Sequence, residues 1–330
     1  MVGDAPGDRV TRRVGSPPLP PALALAQRAF EGTSSLDPRV PTALWREALV
    51  GPAGEFLARP GKALRAMIVR TGWQLAGGAG EPPDRLAGVL ELLHAGSLIV
   101  DDVEDEADER RGGPALHQVV GVPLAINTGS WMYFVALAEL ADVEPRALAL
   151  AVRTLVRCHQ GQALDLAARV TDHDPACVPG VVATVTRLKT GALCRFAAEL
   201  GAIAAGADEQ ARATIAEFAE RVGVALQMLD DLGSLTSPER RAKAHEDLRA
   251  ARPTWPWAWL VEAGGWEACV AITDLDQLAA ALASATRELG RQRIRMTLAG
   301  AIALLRDQFG DGPLVERITR ELARMEVSYG

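Results

Sequence analysis

The sequence predicts an all-α protein, and three observations carry that expectation. Apolar residues recur at i, i+3 and i+4 along most of the chain, the spacing that lines one face of a helix. Gly- and Pro-rich clusters ("GGAGEPP", "DHDPACVPG", "SLTSPER", "AARPTWP") punctuate those runs. There is no alternation of helix and strand patterns of the βαβ kind and no internal repeat. Helices of about 11–12 residues joined by short connections imply about ten or more of them in this chain.

In chain order, residues 1–22 are rich in Pro, Gly and Arg and read as a disordered tail, leaving 23–330 as a single domain. "DRLAGVLELLHAGSLIV" carries Leu86, Val89, Leu90, Leu93 and Ser97 on one helix face, with Asp84 expected as its N-cap. "GSWMYF" falls on the next helix. "RALALAVRTLVRCHQGQALDLAARV" repeats helically through Leu148, Val152, Leu155, His159 and Ala163. "CVPGVVATVTRL" is rich in β-branched residues, yet Val181, Val185 and Leu188 repeat at helical spacing, so a helix is expected there. "ARATIAEFAERVGVALQMLDDLG" places Ile215, Phe218, Val222, Ala225, Leu226 and Leu229 together.

Composition excludes some functions. The 330 residues are 48% hydrophobic and 23% charged, enough for a large core, and the net charge of -7 argues against nucleic-acid binding. The four cysteines are widely spaced without a CxxC pair and read as reduced thiols. No apolar run approaches the ~20 residues of a membrane span, and no apolar h-region follows Met1. The expectation is a cytoplasmic protein without stable membrane insertion.

The chemistry sits in "SLIVDDVEDEADERRGG". An apolar stretch runs directly into acid. Asp101 and Asp105 are four apart and share a helix face, with Asp102 beside them. A second pair, Asp230-Asp231, closes another apolar helix one turn after Gln227. Adjacent like charges repel. Two such pairs at the ends of core helices suit a hard divalent cation that takes oxygen ligands and bridges carboxylate to phosphate. Basic residues supply a complement. Lys62 and Arg65 lie three apart, Arg110-Arg111 follow the first cluster, Lys189-Thr190-Gly191 offers a cation and a hydroxyl, and Lys243 and Arg252 follow the second pair.

These motifs resemble those of the trans-isoprenyl diphosphate synthases (polyprenyl synthetases) over about Gly61 to Trp259. "DDVED" with "RRG" looks like the first aspartate-rich motif and "QMLDD" like the second, with "PGKALR", "LLHAGSL", "HQGQALDL" and "LKTGAL" in family order. The PGKxxR form, the DDxxD spacing and a relaxed second motif are shared with the eukaryotic-type geranylgeranyl diphosphate synthases. The resemblance implies an isoprenoid-synthase helical bundle around a deep apolar cavity, a homodimer, and condensation of an allylic diphosphate with isopentenyl diphosphate. It implies three Mg²⁺ ions with bound diphosphate, held by Asp101, Asp102, Asp105, Asp230 and Asp231. It assigns Lys62, Arg65, His94 and Arg111 to the isopentenyl diphosphate head. Arg110, Lys189, Thr190, Gln227, Lys243 and Arg252 go to the allylic diphosphate. Asp101, Asp102, Asp105, Lys189 and Asp230 are the expected catalytic group. Three positions depart from the pattern: Ser234 replaces the third Asp of the second motif, Arg252 replaces a Lys, and the Asp231–Glu246 segment is short. A class I terpene cyclase is the alternative. Retention of the isopentenyl set argues against it, and a complete first motif argues against a non-catalytic subunit.

Product length is expected to depend on the helix before the first motif. Leu93, Gly96 and Ser97 lie one and two turns before Asp101, and the resemblance implies that an aromatic at this place stops the chain at fifteen carbons. Small Gly96 and Ser97 therefore predict twenty carbons, with Trp131 a candidate for the floor.

Overall fold

The computed structural model describes residues 20–33, 39–60 and 64–329. The first helix, α1 (Pro21–Thr33), buries Ala22, Leu25, Ala26 and Phe30. Helix α1 thus takes in Pro21 and Ala22 of the expected tail, and residues 1–19 of that tail lie outside the described residues. Short α2 (Thr42–Trp45) runs through a π-type turn into α3 (Gly51–Ala58), followed by α4 (Leu64–Leu75) and α5 (Asp84–Glu104). Pro83 holds the cap position of α5 and Asp84 is its first residue, so Asp84 is not the N-cap. Proline's fixed φ already suits entry into a helix, and no side chain caps this end. The expected inner face is buried at Leu86, Val89, Leu90 and Leu93 and half-buried at Ser97.

After α5 the chain makes a small antiparallel hairpin, β1 (Glu109–Arg110) with β2 (Gly113–Pro114). These are the only strands among the described residues. The turn residues Arg111 and Gly112 both have positive φ, 52° and 75°. That sign pattern matches the twist of a two-residue hairpin, but a non-glycine side chain resists it. Next come α6 (Leu116–Val120), α7 (Val122–Val143), α8 (Pro145–Ala167), α9 (Val178–Thr186) and a π-type turn at Arg187–Gly191. The β-branched "VVATV" segment is therefore helical. The rest is α10 (Ala192–Ala204), α11 (Glu209–Thr236), α12 (Arg241–Arg249), α13 (Trp255–Ala263), α14 (Trp266–Val270), α15 (Leu275–Phe309) and α16 (Pro313–Tyr329). Asp208 and Asp274 cap α11 and α15, accepting N–H bonds from Ala211 and Gln277 at 2.8 Å each.

The main core lies among α1, α4, α5, α7, α10, α11 and α15. A second cluster packs α9, α12 and α13 onto the start of α15 around Trp257, whose ring meets Trp266 at 5.4 Å. Two helix surfaces depart from their expected roles. A Cβ on Gly96 of α5 would lie 2.7 Å from the Gly129 carbonyl of α7, so these backbones touch. Gly96 is therefore not a lining position for a growing chain, because α7 closes that side of α5. In α8 the buried positions are Ala147, Ala151, Thr154 and Gly161. The apolar stripe read from the sequence instead borders an open groove of about 480 Å³ with Leu137 of α7, and Val152 and Val156 on it are exposed. Spacing identified the helix but not the face that is covered.

Candidate active site

The dense acid block divides into two sets. Glu104, Glu106, Asp108 and Glu109 are exposed, while Asp102 is fully buried and Asp101 and Asp105 are half-buried. All three aspartates sit at the C-terminal end of α5. Asp230 and Asp231 sit near the C-terminal end of α11. A helix C-terminus carries partial negative charge, so carboxylates there oppose the helix dipole and need cations nearby. Protein cations supply them. Lys189 Nζ reaches Asp101 Oδ1 and Asp165 Oδ2, both at 2.9 Å. Arg110 Nε donates to Asp102 Oδ1 at 2.6 Å. Arg252 donates to Asp105 Oδ1 at 2.6 Å and to the Asp165 carbonyl at 3.0 Å. Lys243 and Arg240 donate to Asp230 at 2.8 and 2.9 Å. Residues 147 apart in sequence, Asp105 and Arg252, thus meet directly.

Local backbone places these groups. Lys189 and Thr190 lie on the π-type turn, a helical irregularity often found at functional positions. Gly161 lets α8 approach that turn: a Cβ there would stand 2.9 Å from the Lys189 amide. Thr190 Oγ1 donates to Gln227 Oε1 at 2.9 Å, and Gln227 Nε2 donates to Asp231 Oδ1 at 2.7 Å. Asp231 Oδ2 accepts the Trp255 N–H at 2.9 Å, which ties α11 to the first turn of α13. Ser234, at the place of a third Asp, returns its hydroxyl to the Asp230 carbonyl at 2.8 Å.

Burial acts on these charges. It pushes the Asp105 carboxyl up to about 6, with Asp101 adding to the shift and Arg252 and Lys189 opposing it. Burial likewise lifts Asp231 to about 7 against the Trp255 and Gln227 hydrogen bonds, and Asp247 to about 6. Asp102 is raised by burial, partly offset by Arg110, and its Oδ2 is buried without a partner. For Lys189 the order reverses. Burial would lower its pKa, but Asp101 and Asp165 outweigh it and the ammonium is held charged.

A second basic group gathers around His94. Burial, then Arg65, Arg111 and Arg110, hold His94 well below its ordinary value and keep it neutral. Arg111 donates to Glu91 at 2.8 Å and lies over the Phe56 ring, 5.3 Å from its centroid. Burial lowers Arg65, and Glu91 opposes that. The structure thus brings Arg65, His94 and Arg111 into one field. Lys62 falls outside the described residues. Of the positions tied to product length, Leu93 is buried, Ser97 is half-buried with its Oγ bonded to the His94 carbonyl at 2.8 Å, and Trp131 is half-buried against the core. Sequence reasoning missed Asp165, Arg240, Asp247, Arg59 and Glu91. Asp165 was the most accessible, since it ends "HQGQALD" three residues after Gln162.

A family model described as Polyprenyl synthetase matches residues 46–271. The chain belongs to the polyprenyl synthetase family. Geranylgeranyl pyrophosphate synthase 2 of Zymoseptoria tritici is 32% identical over 218 residues, 64% of this chain and 63% of that protein. Geranylfarnesyl diphosphate synthase of Aeropyrum pernix is 30% identical over 306 residues, 86% of this chain and 93% of that one. The match spans only about half to two-thirds of the fungal geranylgeranyl synthases, 49% of one from Hypoxylon pulicicidum. Among solved structures, heptaprenyl diphosphate synthase of Staphylococcus aureus superposes with a TM-score of 0.76 at 19% identity, covering 93% of this chain and 97% of that one. Polyprenyl synthase of Caulobacter crescentus, complexed with calcium and isoprenyl diphosphate, gives 0.74 at 22% identity, covering 96% and 99%. At these identities the structures establish the helical-bundle fold.

The carboxylates of this family member fit a hard divalent cation. The donors are all oxygen, Asp102 Oδ2 is buried without a partner, and burial raises Asp105 against Arg252 and Lys189. Among the described residues no three carboxylate, imidazole or thiol groups already converge as a cage. Lys189, Arg252 and Lys243 are paired with oxygens of Asp101, Asp105 and Asp230. No helix among the described residues is long and apolar enough to cross a membrane.

Proposed function

We propose that the protein is a Mg²⁺-dependent trans-prenyltransferase that condenses an allylic diphosphate with isopentenyl diphosphate, giving geranylgeranyl diphosphate. One observation supports this reading: basic residues gather in two groups, one paired with the aspartates and one around His94. One is Lys189, Arg252 and Lys243, and the other is Arg65 and Arg111 around neutral His94. Two diphosphates need two such fields, whereas a cyclase needs one. Asp101, Asp105 and Asp230 would hold Mg²⁺ with Asp102 and Asp231 behind them. When bound, Mg²⁺ supplies Lewis-acid stabilisation of the leaving diphosphate, and three ions are expected from the resemblance.

The chain's own residues do the rest. Lys189, Arg252 and Lys243 turn from aspartate to the allylic diphosphate and take up the negative charge that develops as its C–O bond breaks. Arg65 and Arg111 hold the isopentenyl diphosphate, with Lys62 beside them in sequence. His94 offers a hydrogen bond there without a further positive charge. The double bond attacks the allylic carbon, a C–C bond forms, and the released diphosphate takes the proton. Ser97 and Leu93, below Asp101, border the path of the chain in place of Gly96, and the small Ser97 side chain supports a twenty-carbon product.

The exposed stripe on α7 and α8 supports the homodimer. Phe134 is 69% exposed, and Val152 and Val156 lie beside the apolar groove, a surface suited to a second copy. Val156→Glu should yield monomers in sedimentation.

The test of activity incubates the protein and Mg²⁺ with farnesyl diphosphate, with and without isopentenyl diphosphate. Twenty-carbon diphosphate only in the complete mixture is the expected result. A hydrocarbon released from farnesyl diphosphate alone would replace this reading with the cyclase.

A further inference from the structure

The hairpin that carries Arg110 and Arg111 is tethered at three points. Two use the arginines' own side chains, Arg110 on Asp102 and Arg111 on Glu91. Both guanidinium groups are wanted by incoming diphosphate, so neither tether can by itself keep the hairpin in place once ligand arrives. The third is of a different kind. Arg59, just past the end of α3, donates from NH1 to the Arg110 backbone carbonyl at 2.8 Å. We infer that Arg59 is a positioning residue that fixes this hairpin, and with it the isopentenyl diphosphate field, independently of whether Arg110 and Arg111 are engaged by carboxylate or by ligand. The inference rests on the prenyltransferase reading for the ligand's demand on the two arginines and for its kinetic consequence, and the Arg59 contacts stand without it.

Several features converge on Arg59. Its fork is itself held by Glu55, one helical turn earlier, with Nε and NH2 donating to Oε1 at 3.0 and 2.8 Å and NH2 to Oε2 at 3.0 Å. Its side chain is 9% exposed although it lies at a helix end. Its guanidinium carbon is 5.5 Å from the Phe56 ring centroid, and that of Arg111 is 5.3 Å from the same ring, so Phe56 links Arg59 to Arg111. A Cβ on Gly113 would come within 3.3 Å of the Arg59 guanidinium carbon, so the hairpin's second strand rests directly on it. The fastened turn is one that resists its own conformation, since Arg111 has φ 52°. A non-glycine residue keeps that geometry only where its surroundings enforce it. Lysine could meet the ring but not bond Glu55 and the carbonyl as a planar fork.

The experiment compares wild type, Arg59→Met and Arg59→Lys by amide hydrogen exchange without ligand and by steady-state kinetics. Losing a charge-assisted hydrogen bond predicts exchange of the 106–114 segment faster by about tenfold in Arg59→Met, with α11 unchanged. The KM for isopentenyl diphosphate should rise by about the same factor and, because Arg110 rides on the same hairpin, that for the allylic substrate should rise with it, while kcat stays nearly unchanged. Arg59→Lys should fall between the two, and it carries the test if Arg59→Met fails to fold. Unaltered exchange of the 106–114 segment overturns the inference. An inactive wild type overturns the prenyltransferase reading instead, and the exchange result still decides the role of Arg59.

Discussion

Replacing Gly96 should cost stability before it changes the product. An added Cβ would sit 2.7 Å from the Gly129 carbonyl oxygen, 3.3 Å from Met132 Cβ and 3.4 Å from Tyr133 Cε1. The first distance is far inside ordinary contact, and its partner is backbone, so α5 and α7 must separate. Overpacking of this kind costs about 1–3 kcal/mol, while alanine recovers about 1 kcal/mol of helix propensity. The net expectation for Gly96→Ala is a loss of up to about 2 kcal/mol. Gly180, in α9, is the control, because a Cβ there meets nothing within 4 Å. Gly180→Ala should gain up to about 1 kcal/mol. Gly96→Phe should fold poorly and give no clean fifteen-carbon enzyme. Urea midpoints followed by circular dichroism separate the two alanine variants. A gain in Gly96→Ala equal to that of Gly180→Ala, or a stable Gly96→Phe that makes fifteen carbons, would show that the α5–α7 contact does not exclude side chains.

Asp101→Ala and Asp105→Ala should each lower turnover by about 10²–10³, and near-normal turnover in either would remove it from the metal set. Arg65→Ala should raise the KM for isopentenyl diphosphate more than that for the allylic substrate, and an equal rise in both would undo the division into two fields. Asp231 keeps its proton up to about pH 7 when folded, whereas an unfolded Asp loses it near pH 3.9. The folded state binds more protons between those values, so this group's contribution favours folding most at low pH and declines as pH rises toward 7. Asp231→Asn should flatten that decline, read from urea midpoints at pH 5 and pH 8 in metal-free buffer. An unchanged difference between the two pH values counts against a protonated Asp231.

Much of this site was legible because it is written along single helices. Asp101 and Asp105 share a face by spacing alone, and the buried residues of α11 follow its 3.6-residue period to Asp230. What was hidden depends on tertiary approach. Nothing in "RRGG" says that Arg111 adopts a left-handed backbone, because a neighbouring ring and Glu91 hold it there. Gly96 looked like open space in the sequence, but a glycine leaves room for either a ligand or another backbone, and here Gly129 takes it. The α8 stripe failed for a related reason. Periodicity reports an apolar face, and an exposed face has the same period as one turned to the core.

The aspartates stand where folding alone would favour lysine or arginine, at the ends of α5 and α11, where the helix dipole is negative. This chain places acids there and recruits Lys189, Arg252, Lys243, Arg240 and Arg110 from elsewhere to neutralise them. These partners come from separate elements, three of them from the π-type turn, α12 and the segment before α13. A cation that takes the carboxylates releases the same basic groups toward an anion. Binding of metal and of diphosphate should therefore reinforce one another, since each frees the partner of the other. Inorganic diphosphate should bind more tightly with Mg²⁺ than either ligand binds alone, and calorimetry showing independent binding would contradict this exchange of partners.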